Sequence, residues 1–111
     1  MTVKNDDKND LLTQLHDLVM ATIAEGLKPD YTLDEKSTFN EKAENIRDRL
    51  VLLRQKLFDH NTTGYQESSG DIKDVNKVLE EAKARIDALA TFFKNLDTLA
   101  KNLDELLKAA M

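Results

Sequence analysis

The chain has 111 residues, one third of them charged, with a net charge of −5 and no cysteine. That length suits one domain with a modest core, and the missing cysteines exclude disulfides and thiolate metal sites. Mild acidity without basic patches interleaved with aromatics argues against nucleic acid as the main partner.

The N-terminus, Met1 to Asp10, carries aspartates and no apolar block, so no secretory signal is expected and the chain reads as cytoplasmic. Residues 1–8 are expected to be a flexible N-terminus and residues 9–111 a single helical-bundle domain. The first helix is expected to start near Asp7 or Asn9 and to stop at Gly26, with Pro29 just beyond. Leu11, Leu12, Leu15, Leu18, Val19, Thr22 and Ile23 form its apolar stripe. His16 lies at the edge of that stripe, and Met20 on the side expected to be exposed. The longest uncharged run of this helix, Leu18 to Ala24, falls far short of the ~20 apolar residues of a membrane span.

Lys28-Pro29-Asp30 reads as a turn, after which two capping boxes compete, Thr32 with Glu35 and Thr38 with Glu41. A start near Asp34 is expected. Phe39, Ala43, Ile46, Leu50, Leu53 and Leu57 then alternate at helical intervals. Leu50-Val51-Leu52-Leu53 is apolar nearly all the way round, as in a helix central to a bundle or at a subunit interface. Arg47, Arg49, Arg54 and Lys56 make the only basic cluster, read as seam-edge side chains paired with carboxylates of a neighbouring helix. His60 to Gly70 reads as a long, polar, mobile loop.

From Asp71 onward, Ile72, Val75, Leu79, Ala82, Ile86, Leu89, Phe93, Leu96, Ala100, Leu103 and Leu107 fall alternately three and four apart. This is a heptad a/d pattern with neither proline nor glycine inside it, and it predicts one long helix to Met111. Val78, Phe92, Leu99 and Leu106 occupy g positions and widen the seam into a face. The expected fold is all-α, an antiparallel up-down-up bundle of three helices with a long C-terminal heptad helix. It becomes four helices if that helix breaks near Asn95. An unbroken third helix outreaches the second, and its overhang carries leucines that soluble monomers do not leave wet.

Little in the sequence points to chemistry. The two histidines, His16 and His60, match neither di-iron nor zinc-protease spacing, and phosphate-binding glycine loops are absent. No metal, cofactor or small-molecule substrate is expected. Arg54 and His60, separated by Gln55 to Asp59 in an all-helical chain, resemble the arginine–histidine signature of HEPN-type ribonucleases. The resemblance covers seven residues and the fold class. It implies that Arg54 and His60 act on an RNA phosphate, usually across a dimer interface. The other reading of the pair is a solvated arginine and a loop histidine near a helix C-terminus.

The reading favoured is a non-enzymatic helical module for protein–protein contact: a self-assembling subunit, an adaptor, or an inhibitor- or antitoxin-like partner. Its contact face is expected on the C-terminal helix, with Phe92, Leu96, Leu99, Leu103 and Leu106 as anchors. The carboxylates Asp97 and Asp104 favour a basic partner. A homodimer is expected, with no nucleic-acid or membrane partner. The alternative is a HEPN-like ribonuclease using Arg54 and His60.

Overall fold

The computed structural model describes residues 6–111, and among them all regular structure is helical. Four helices pack against each other: α1 Asp6–Gly26, α2 Leu33–Leu53, α3 Tyr65–Ala84 and α4 Leu89–Ala109. A 3₁₀ turn, Ile86–Ala88, precedes α4. Of the N-terminal segment expected to be flexible, residues 1–5 lie outside the described residues, while Asp6, Asp7 and Lys8 are already helical.

The first two helices follow their punctuation. Gly26 closes α1 against Phe39, where an added Cβ would stand 2.6 Å from the Phe39 Cβ. Of the two capping boxes the first forms. The Glu35 amide donates to Thr32 Oγ1 at 3.1 Å, and Glu35 Oε1 accepts from the Thr32 amide at 2.8 Å. The losing candidate, Thr38, turns its hydroxyl back to the Asp34 carbonyl.

The long C-terminal helix is not continuous. It breaks at Arg85, ten residues before the position allowed for, with extended backbone at φ −142° and ψ 116°. Arg85 reaches forward to Asp87 with Nε and Nη2, at 3.2 and 3.1 Å from the two carboxylate oxygens. Asp87 sits in the first turn of the new helical segment, where negative charge is favoured. The physical gain is burial: folding back encloses the leucines that a continuous rod would leave wet.

The seam changes register at the break. In α3 the buried residues Ile72, Val75, Leu79 and Ala82 follow the a/d pattern. In α4 they are Leu89, Phe92, Leu96, Leu99, Leu103 and Leu106, the d and g positions, with Ala100 the one a position among them. Ile86, at the pivot, is 64% exposed. The three–four rhythm thus runs through the turn while the face it marks rotates.

Helix α3 also starts six residues earlier than its polar sequence implies. Gly64 takes φ +93° and approaches the backbone of Leu106 so closely that a Cβ would lie 2.7 Å from its nitrogen. Tyr65 then docks, its ring near Phe58 and its hydroxyl donating to the Asp7 carbonyl at 2.9 Å. The preceding loop is closed by its own polar groups: Asp59 Oδ1 accepts from the Asn61 amide, and Thr62 Oγ1 from the Asp59 amide.

Helix α1 packs on α2 and α3, and α4 packs on α3 and α2. Lys42–Asp97 and Arg49–Asp104 share one sequence offset of 55, so α2 and α4 lie side by side in the same direction. The core is one cluster, with an aromatic group of Tyr31, Phe39, Phe92 and Phe93 near one end.

Candidate functional site

The residues expected to anchor a partner anchor the chain's own core instead. Phe92, Leu96, Leu99, Leu103 and Leu106 are each at most 1% exposed, enclosed by the packing of α4 on α2 and α3. The carboxylates beside them are also engaged. Asp97 takes the Lys42 ammonium at 2.7 Å, and Asp104 takes Arg49 through Nε at 2.9 Å and Nη2 at 3.1 Å. The overhang that motivated a homodimer disappears with the break at Arg85.

Neither histidine joins a convergent constellation. Among the described residues no group of three or more His, Asp or Glu side chains could hold a metal ion. His60 instead clasps α1: its amide donates to Asp7 Oδ2 at 3.0 Å and its Nδ1 lies 2.6 Å from the same oxygen. This hydrogen bond, and the Asp7 charge, hold the imidazole above its usual range, and the same bond lowers Asp7. Beside it Lys8 donates to the Arg54 and Lys56 carbonyls, satisfying the C-terminal end of α2. Arg54 also lines the groove between α1 and α2, with His16 and Arg47, a lining that does not include His60.

At the opposite end Glu25 is the one strongly buried carboxylate among the described residues, 3% exposed. Its Oε2 accepts from the Tyr31 hydroxyl at 2.5 Å, and its Oε1 takes Lys28 at 2.8 Å. Burial pushes this carboxyl up, but the bonds from Lys28 and Tyr31 outweigh it and leave the carboxyl below its usual range. Burial, then the bond to Glu25, pushes the Tyr31 phenol up. With every oxygen matched, this is a lock on the α1–α2 turn rather than a reactive centre.

The open surface is the outer groove of the α1–α2 hairpin. Its wider stretch, about 460 Å³, has Val19, Ile23 and Leu50 along its floor, with Met20 and Val51 on its walls. Met20 is 52% and Val51 45% exposed. Ile23 also lines a second stretch, toward the turn, with Leu27, Lys36 and Phe39, so the two stretches adjoin at that residue. Arg47, Arg54 and Lys36 line this path, and neither stretch has a carboxylate in its lining.

The pieces of this groove are visible in the sequence, and their assembly is not. Helical spacing puts Met20 on an exposed side and His16 at the stripe edge, and Leu50 to Leu53 is an all-round apolar run. The signal that joins them is the turn at Lys28-Pro29-Asp30. It folds α2 back along α1 and so brings Met20 and His16 near Arg47 and Val51. No family model, no curated protein and no solved structure matches the chain.

Proposed function

We propose that the protein is a non-enzymatic helical module that works by contacting another protein, and that the contact surface is the outer α1–α2 groove. One observation carries the reading. Met20 and Val51 stay half-exposed on the groove walls while the apolar residues on the core face of α4 are buried. A folded chain with a complete core gains nothing from apolar side chains held in water along a groove, and such surfaces mark interaction sites.

A photo-crosslinking amino acid at Met20, compared with one at exposed Thr98 on α4, tests this in the source cell. A discrete protein adduct formed from position 20 and not from position 98 supports the module. No adduct from position 20, or the same adducts from both positions, overturns it. Cleavage of mixed RNA that disappears in His60→Ala would overturn it in favour of a ribonuclease.

A further inference from the structure

We infer that the occupant of the α1–α2 groove is an acidic amphipathic helix of another protein, an inference that rests on the contact-module reading above. Charge selects that occupant. The chain carries 21 acidic residues against 16 basic ones. A random stretch of its surface should therefore carry more carboxylates than cations. Lys42, Arg49, Lys28, Lys83, Arg85 and Lys108 all have a carboxylate within 4 Å. The other described cations have none, Lys36, Arg47 and Arg54 among them; the groove is set apart because these three line it and no carboxylate does. Three unpaired cations beside an apolar floor, in an acidic protein, complement an anionic and apolar ligand.

Spacing selects a helix. Lys36, Arg47 and Arg54 are separated by 11 and 7 residues. At 3.6 residues per turn these are about three turns and about two, so the cations form one line along α2. At 1.5 Å per residue the line is about 27 Å long, matched by a helix of about five turns. A partner helix lying along the groove would set carboxylates opposite that line at the same heptad-like intervals. Its apolar face would meet Val19, Met20, Ile23 and Val51, the helix-in-groove mode of recognition.

Other occupants fit less well. A second copy docked by twofold symmetry would bring Arg47 and Arg54 toward their own counterparts. A flat bilayer cannot reach a floor sunk between two helices. A nucleic acid would use the cations and leave the apolar walls unmatched.

The test uses a fluorescent synthetic helix of 21 residues with leucines on one face and glutamates along its flanks. Its lysine-flanked counterpart, vesicles of phosphatidylglycerol and light scattering of the protein alone complete the set. Expected are saturable binding of the glutamate helix, weakened about tenfold between 50 and 500 mM salt, and little binding of the lysine helix. Arg47→Glu/Arg54→Glu should reverse the preference. Both side chains are exposed and unpaired, so the variant should fold, which its circular dichroism and melting temperature verify. Equal binding of the two helices would overturn the inference while leaving the contact module standing. So would vesicle binding without helix binding, a dimer abolished by Met20→Asp, or no binding of any probe. Failure of the crosslink from position 20 would instead remove the contact module itself.

Discussion

The two helical hairpins contain almost the same amount of helix, 21 and 21 residues in α1–α2 and 20 and 21 in α3–α4, and both bury a core seam, yet they differ in the apolar residues they leave exposed. The second hairpin takes Leu96, Leu99, Leu103 and Leu106 entirely inside, and its flanking aspartates are paired with α2. The first keeps Met20 and Val51 in solvent beside cations that have no acidic neighbour. Both pairs of helices build the core, and the first also presents large apolar side chains on its surface. The lesson is that a heptad face in a sequence marks where burial is needed, without saying whether the chain itself or a partner supplies it.

The sharpest way to break this contrast is a matched set of substitutions. Leu99→Ala should lower stability by about 2–5 kcal/mol, and Leu99→Asp should prevent folding, both followed by urea denaturation and circular dichroism. Met20→Asp and Val51→Asp should each change stability by less than about 1 kcal/mol. A mild Leu99→Ala or an unfolded Met20→Asp would reverse the assignment of the two hairpins.

A smaller effect tests how the hairpins are joined. Gly64→Ala places a side chain at φ +93° and against the Leu106 backbone, and it should cost about 1–3 kcal/mol in the same denaturation experiment. A neutral result would mean that α3 does not begin against α4 as described.

The Asp7–His60 clasp sharpens the comparison through pH. The imidazole is raised above its ordinary 6.5, so its contribution is complete below that value and fades as pH climbs through the raised one. Asp7 is lowered from 3.8, so its contribution is present above that value and fades as pH falls through the lowered one. The clasp should therefore be strongest between about pH 4 and 6.5 and weaken on the alkaline side. Urea midpoints at pH 6 and 8.5 should show a decline that His60→Ala lacks. An identical decline in the variant would assign it to other groups.

The smallest expected change is a gain. Ser68 is fully buried in α3, and its hydroxyl has no hydrogen-bond partner among the described residues. Ser68→Ala should raise stability, by up to about 1 kcal/mol, because it removes an uncompensated polar group. A clear loss would show that the hydroxyl has a partner.

How far the sequence spoke depended on how local each determinant is. Gly26, Pro29 and the Thr32–Glu35 box act within a few residues, and the boundaries of α1 and the start of α2 were accordingly legible. The start of α3 depends on Tyr65 meeting Asp7 and Gly64 meeting Leu106, contacts made across long stretches of chain. Nothing near Ser68-Ser69-Gly70 announces them. The turn at Arg85 was hidden because neither glycine nor proline marks it and the three–four rhythm passes through it. Its trace was present in Phe92, Leu99 and Leu106, the g-position residues that become half of the α4 seam once the helix turns. Missing that rotation turned core leucines into expected partner anchors, and it left the groove beside Met20 unassembled.

The fold-back at Arg85 underlies all of this, and a distance measurement tests it most directly. The chain has no cysteine, so Glu67→Cys/Lys108→Cys can be spin-labelled at two exposed sites alone. Diluted into unlabelled protein, the pair should give an electron-spin distance below about 30 Å, because both sites lie near the end where Gly64 meets Leu106. A distance near 60 Å, the span of about 41 residues of unbroken helix, would contradict the account.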